Sequence, residues 1–341
     1  MLNQTANTIK YLYILTSDIT DFYLEQALLS IYSLRSKIPE SYITLLVDDI
    51  TELNLVDNRS NILNIVNEFI SIKIDSSFNK KARSRWLKTS MRQYIKNDFL
   101  FIDSDTIITE DLSSLNNMEL SIGAVLNEHI YLSDLQKNNP NYYNNTLLLS
   151  NKLNYISTAN SNYYFNSGVM ICRDLPAVHN FFIEWHKQWL YCLNHGIVTD
   201  QQSFNQTNYS LGNIISELEG KWNCQIMADG GINYLYNAKI LHYFGGMEEE
   251  NTYFLASHKI LNDIKEKGFI DQNIKELLIN PKCLFVPNSR LRVSDKFARS
   301  ITYIFVKKLF YSKIGTFFEF LLSFIYRNII IPIKHLFKIK K

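Results

Sequence analysis

Cysteine is scarce in this chain, and the four present, Cys172, Cys192, Cys224 and Cys283, stand far apart. No Cys-x-x-Cys pair exists to seat a zinc knuckle or a redox centre, so buried thiols in a reducing compartment are expected. Charge is scarce too: a net +2 at pH 7 is too little to attract a nucleic acid, and no nucleic-acid partner is expected. The opening MLNQTANTIKYLYILTS lacks a cationic start followed by a long apolar run and a small-residue cleavage site. No secretory signal is read there, and a cytoplasmic protein is expected. No internal repeat is visible. What the chain has is 341 residues and 46% apolar content, enough for one large α/β domain with appendages or for two domains.

Strand-like runs at 11–16, 42–47, 71–74, 99–102 and 122–126 alternate with helical patterns. Between the first two, Tyr23, Leu24, Ala27, Leu28, Ile31 and Leu34 recur at helical spacing, with Asp21 available as N-cap. This alternation implies an α/β fold built on a mostly parallel sheet with helices on both faces. Ligands bind such sheets beyond the strand C-termini, where Thr16-Ser17-Asp18 and Asp103-Ser104-Asp105 both fall. The four apolar residues Phe99 to Ile102 read as a short buried strand. Side-chain alternation beyond it would send the Asp103 and Asp105 carboxylates to one side, an oxygen pair suited to a divalent cation and its phosphates. The alternative is a solvated turn.

Upstream of that strand, RSRWLKTSMRQYI places Arg85, Lys88 and Arg92 on one helical face. Residues 127–165 are polar, rich in Asn and Tyr, and too long for an idle connection, which suggests a lid or substrate loop of unassigned structure. YFNSGVMICRD (164–174) reads as a buried strand, followed by a helix whose Phe181, Phe182, Trp185 and Trp189 form a core stripe. From Ile301 the character changes. Residues 301–341 mix large apolar and aromatic side chains with eight Lys/Arg and one acidic residue, Glu319. Glu319 and Arg327 interrupt the apolar run and Pro332 ends it, which disfavours a membrane span. Such a segment suits an anionic membrane interface, and the alternative is a helix docked on the domain.

Four pieces stand in order: LTSD, FIDSDTIITEDLSSL, FNSGV with TDQQSFN after it, and ILHYFGG. In this set, over roughly residues 10–246, the chain resembles the retaining glycosyltransferases of family 8, the group of glycogenin and bacterial lipopolysaccharide galactosyl- and glucosyltransferases. The resemblance implies a GT-A fold, a UDP-sugar donor of the UDP-glucose or UDP-galactose type, and Mn²⁺ (alternatively Mg²⁺) held by Asp103, Asp105 and His242. Two carboxylates and an imidazole suit such an ion. By the same resemblance Thr16, Asp18 and Tyr23 hold uracil and ribose, although from spacing alone Tyr23 reads as a helix core residue. A basic residue, Arg85 or Lys88, contacts the donor, and Ser104, Asn166, Gly168 and Gly245 border it, with Gly168 leaving room for the sugar ring. Asp200 and Gln201 correspond to the pair at the reaction centre.

One departure stands out. Family members often carry a lysine shortly after the late histidine to grip the diphosphate, whereas HYFGGMEEENTYF supplies Glu248, Glu249 and Glu250 and no lysine before Lys259. Two other readings remain open at the sequence level. One is a haloacid-dehalogenase-like phosphatase with Asp103 as nucleophile, the other a non-catalytic sugar-binding protein on the same fold. The expected organisation is a catalytic domain over 1–255, a helical or irregular extension over 256–300, and a basic aromatic tail over 301–341 that attaches the enzyme peripherally to the inner face of the cytoplasmic membrane. A glycan, lipopolysaccharide or lipid-linked acceptor is expected there.

Overall fold

The computed structural model describes residues 9–228, 230–244, 253–285, 300–310, 312–325 and 328–329. The chain forms two compact units, Met1–Arg292 and Val293–Lys341. The first is built on a seven-stranded sheet of strands β1 (Lys10–Leu15), β2 (Ile43–Asp48), β3 (Glu68–Ile72), β4 (Phe99–Ile102), β6 (Ile122–Leu126), β7 (Phe165–Cys172) and β8 (Ile215–Leu218). Their order is β3-β2-β1-β4-β7-β6-β8, and β7 alone runs antiparallel to its neighbours. Three shorter strands, β5 (Thr106–Ile108), β9 (Cys224–Gln225) and β10 (Ile240–His242), form a second sheet in the order β5-β10-β9. The mostly parallel α/β architecture expected from the sequence is therefore present.

Period-two alternation divides the core between the two faces of the large sheet. Leu12, Leu46, Phe99 and Phe101 point to one face, where Leu87, Phe181, Phe182 and Trp185 cover them. Tyr11, Tyr13, Leu45 and Leu100 point to the other, against Leu24, Leu28 and Ile31 and the small sheet. The helix Tyr23–Lys37 buries Leu24, Ala27, Leu28, Ile31 and Leu34 as its spacing requires, but Tyr23 stands off that stripe, 40% exposed. Asp21 serves the helix start by accepting from the Tyr23 amide at 3.1 Å, although the residue flanking the helix is Phe22. The aromatic stripe of helix Pro176–Asn194 is core, with Phe181, Phe182, Trp185 and Trp189 all buried.

Three expectations change. The strand placed at 71–74 runs instead over Glu68–Ile72, because this edge strand is half-exposed throughout and pairs through a polar residue: Glu68 accepts from Thr44 Oγ1 at 2.8 Å and from Lys10 Nζ at 3.2 Å. The polar stretch after β6 is helical, over Leu132–Asn138, Pro140–Lys152 and Ser157–Asn160, and rests on two small clusters, Leu132-Leu135-Tyr164 and Leu153-Tyr155-Cys192-Ile197. Arg92 leaves the helix Lys80–Ser90 in a following 3₁₀ turn, so it does not share the face of Arg85 and Lys88. It pairs with Asp174 at 3.0 Å over the Phe99 ring.

In the second unit, helices Ile301–Phe310 and Lys313–Ile325 carry exposed apolar side chains, Phe305, Phe317, Leu322 and Phe324 among them. No helix among the described residues is long and apolar enough to cross a membrane. Lys334, Lys338, Lys340 and Lys341 lie outside the described residues.

Candidate active site

Beyond the C-terminal ends of β1 and β4 opens a cavity of about 840 Å³. Its floor is the turn from β4 to β5. Asp103 and Asp105 converge because the chain bends between the two strands, and not through alternation along one extended strand. The Asp103 amide donates to the Gly168 carbonyl at 2.8 Å, and the Asp105 carbonyl accepts from the Tyr243 amide at 3.1 Å. A buried hydroxyl chain steadies the bend: Tyr13 Oη, Ser30 Oγ and Thr106 Oγ1 follow one another at 3.1 and 2.8 Å, and Thr106 donates to the Asp103 carbonyl at 2.8 Å. That last bond uses the Thr106 proton, so Ser30 must donate to Thr106 and Tyr13 to Ser30.

His242, at the end of β10, is buried with Nε2 3.2 Å from Asp105 Oδ1 and Nδ1 3.0 Å from Asn223 Oδ1. Asn223 Nδ2 donates to Asn166 Oδ1 at 2.9 Å, and Asn166 Nδ2 to Asn127 Oδ1 at 3.2 Å. This amide row fixes the imidazole through Nδ1 and turns Nε2 toward the carboxylates, the orientation a metal-ligating histidine needs. Ligand atoms of Asp103, Asp105 and His242 lie within 4.8 Å of one another. Burial holds the Asp103 carboxyl above the usual carboxylate range, with Asp105 adding to the effect and Lys88 opposing it. Gly168 packs behind this cluster: a Cβ there would lie 2.5 Å from His242 Cε1 and 2.9 Å from Asp103 Oδ2. The room it leaves is for the ligands themselves.

Asp200 sits just before the helix Gln201–Ser210, buried; it accepts from Ser167 Oγ at 2.7 Å and forms ion pairs with Arg85 Nε at 2.8 Å and Lys88 Nζ at 3.6 Å. Burial pushes its carboxyl up, but Lys88 and Arg85 outweigh it and bring the value down to about 2. Lys88 also lies 3.2 Å from Asp103, so one ammonium joins the Asp200 carboxylate to the cluster of Asp103, Asp105 and His242. Arg85 and Lys88 both line the cavity, as do Thr16, Tyr23, Ser104 and Gln201.

The remaining expected residues stand further back. Asn166 is buried behind Gly168, whose amide it accepts at 2.9 Å. Asp18 does not line the cavity: Lys80 Nζ approaches it at 2.5 Å and Thr20 donates to it twice, which holds its carboxyl well below the usual range. Gly245 and the residues to 252, including Glu248–Glu250, lie outside the described residues. Sequence reasoning missed Asp21, Gln26, Lys80, Lys81 and Phe244 in the cavity wall, and Asn223 beneath His242. Lys80 and Lys81 precede Arg85 and Lys88 by one helical turn or two, a periodicity visible in KKARSRWLK. Asn223 offered no signal.

Comparison with known proteins bears on this geometry. The model of the family described as glycosyl transferase family 8 matches residues 14–248. Among solved structures, the galactosyltransferase LgtC in complex with donor and acceptor sugar analogs aligns at 14% identity over 79% of this chain and 99% of its own, with a TM-score of 0.49. Mouse xyloside xylosyltransferase 1, in its apo form, aligns at 15% identity over 69% and 97%, with a TM-score of 0.45. The glycosyltransferase GlyE of Streptococcus pneumoniae TIGR4 aligns at 19% identity over 83% and 66%, with a TM-score of 0.45. No curated protein matches significantly.

Proposed function

The chain belongs to glycosyltransferase family 8, and from that premise we propose a metal-dependent, retaining transferase that moves a hexose from a UDP-sugar to a glycan or lipid-linked acceptor. The observation that carries the reading is the convergence of Asp103, Asp105 and His242, with Asp103 and Asp105 lining a cavity wide enough for a nucleotide-sugar and Asp200 joined to Asp103 through Lys88. With the family shown, the phosphatase role for Asp103 is set aside.

The three clustered side chains fit Mn²⁺ or Mg²⁺: two hard carboxylates, an imidazole whose Nε2 faces them, and a tightly packed backing. When bound, the cation would offset charge developing on the departing diphosphate. Thr16 and Tyr23 border the mouth of the cavity on the β1 side, where Tyr23 can lie against a base. Lys80, Lys81 and Arg85 supply positive charge along the helix wall, in the place of a lysine after His242. Asp200, kept ionised by its two cations, can accept hydroxyl protons of the sugar and fix its orientation. Gln201 opens onto the same space, and its neutral carboxamide is a poor nucleophile. The acceptor oxygen therefore bonds to C1 on the face the diphosphate leaves, its proton passing to the departing phosphate oxygen, and configuration is kept.

Residues 301–341 form the proposed attachment segment, lying on the anionic inner face of the membrane through exposed aromatics and lysines, with 1–255 as the catalytic part and 256–300 as its extension. Hydrolysis of a panel of UDP-sugars, with and without Mn²⁺ and in the absence of any acceptor, tests the central claim. Metal-dependent release of UDP supports it; retained UDP-sugar binding without turnover would make the protein a sugar-binding relative.

A further inference from the structure

The loop from Ser17 to Phe22 joins β1 to the helix Tyr23–Lys37 and meets the cavity through Asp21, between the lining residues Thr16 and Tyr23, and its conformation is held from two sides. On the cavity side Lys80 Nζ donates to Asp21 Oδ2 at 2.6 Å and pairs with Asp18 at 2.5 Å. Ser17 Oγ donates to Asp21 Oδ1 at 2.7 Å and itself accepts from Arg59 Nη2 at 2.9 Å. These contacts fix side chains. The loop's backbone carbonyls are held by a residue far away in sequence: Lys265 Nζ donates to Ile19 O at 2.7 Å and to Asp21 O at 2.9 Å, and stands 4.9 Å above the Phe22 ring.

Lys265 belongs to the helix His258–Lys267, which carries no motif that links it to the cavity. That helix is a firm mount. Ile260, Leu261 and Ile264 are buried in the main core, Asn58 Nδ2 donates to Glu266 O at 2.9 Å, and Asn61 Nδ2 donates to Gly268 O at 3.2 Å. Gly268 closes the helix at φ 73°, a left-handed conformation glycine adopts freely. At the other end of the same helix the His258 ring packs 5.2 Å from Phe22. An ammonium with three donors and no acceptor spans two carbonyls that a neutral side chain of the same length would leave to water.

We propose that Lys265 is a positioning residue for the donor nucleotide, acting through the Ser17–Phe22 loop without touching the ligand. It sets the entry geometry of Tyr23, the ring next in sequence to the clamped turn, and so tunes affinity for the base end while leaving the metal cluster alone. The inference rests on the UDP-sugar reading above.

The test uses the full chain as wild type, Lys265→Met and Lys265→Arg. Methionine keeps the apolar stem over Phe22 and removes the donors; arginine keeps charge and reach. Amide hydrogen exchange, measured without metal or nucleotide, is expected to rise about tenfold over residues 17–23 in Lys265→Met, with the melting temperature within a few degrees of wild type. UDP titrated into Mn²⁺-loaded protein should bind roughly tenfold more weakly in Lys265→Met, in line with two lost charge-assisted hydrogen bonds partly replaced by water. Its affinity should be largely restored in Lys265→Arg, and Mn²⁺ affinity alone should not change. Unchanged UDP affinity in Lys265→Met overturns the proposal, as does an equal loss of Mn²⁺ affinity, which would mark general damage. A wild type that binds no UDP overturns the donor reading itself, and the nucleotide-free exchange data keep that result separate from failure of the clamp.

Discussion

Replacing Gly168 by alanine adds one methyl group at the point where β7 passes behind the proposed metal ligands. The new Cβ would lie 2.5 Å from His242 Cε1 and 2.9 Å from both Asp103 Oδ2 and Asn166 Oδ1. Ordinary carbon contacts need about 3.5–4.0 Å, so something must retreat by about 1 Å. The imidazole cannot swing away freely, because it is 3% exposed and its Nδ1 is tied to Asn223. Asn166 is buried and serves Gly168, Asn223 and Asn127 at once. The strain is therefore shared between a ligand and the row that orients it. Overpacking of this size costs about 1–3 kcal/mol of stability, and a displacement of about 1 Å in a reacting constellation costs about a hundredfold in rate. Mn²⁺ titration of UDP-sugar hydrolysis at saturating donor should show a half-saturation raised at least about tenfold and a kcat lowered by about a hundredfold, in a protein that still melts cooperatively. Gly123→Ala is the control. Its Cβ would meet Ile171, Leu120 and Leu218 at 2.7–3.1 Å, so it should destabilise similarly with no change in metal response. A Gly168→Ala enzyme with a wild-type Mn²⁺ curve would refute the placement of the metal at this cluster.

Four further outcomes are expected. Asp105→Asn keeps the shape of a ligand and removes its charge, so turnover should fall by at least about a hundredfold, read from initial rates at several Mn²⁺ concentrations; normal metal-dependent activity would contradict the assignment. Gln201→Ala should lower kcat while UDP–Mn²⁺ affinity, measured calorimetrically, stays within about threefold; a large loss of affinity would move Gln201 to the nucleotide end. His186 is held neutral by burial, which lowers its value from 6.5 to about 4, while its Nδ1 lies 2.8 Å from Thr89 Oγ1. With the folded value depressed, its contribution is complete above pH 6.5 and is lost as pH falls toward 4, so His186→Phe should flatten the decline of melting temperature across that window; an unchanged slope would show that other groups control it. Deleting residues 301–341 should release the enzyme from anionic liposomes and leave UDP-sugar hydrolysis intact, because every proposed site residue precedes them; loss of folding on truncation would make the tail structural.

Much of the large sheet was legible because its strands are buried on both faces and read as unbroken apolar runs, as in Phe99–Ile102 and Ile122–Leu126. The small sheet was not. β5, β9 and β10 have two or three residues each, too short for any period to show, and β10 pairs with β5 across more than a hundred positions, Ile240 with Ile108. The proposed metal ligands were found through ordered motifs, since Asp103, Asp105 and His242 each carry chemistry in the residue type itself. Their support was invisible for the opposite reason. Asn223, Ser30 and Thr106 are ordinary polar residues whose roles arise only when the chain folds back on itself. Arg92 shows the limit of helical spacing: three positions matched, but the helix ended at Ser90 and turned the third elsewhere.

The proposed ligands also span a mechanical seam. Asp103 follows β4 and is bonded to β7 in the large sheet, whereas Asp105 leads into β5 and bonds the chain after β10 in the small one, with His242 itself on β10. A cation gripping all three would act as a rivet between the sheets. Its dissociation constant would then gauge how well the two sheets are docked, and breathing between them would register as metal loss before any unfolding. Substitutions deep in the interface, at Ile107 or Leu241 for example, could thus masquerade as metal-site defects although neither side chain bears a ligand atom.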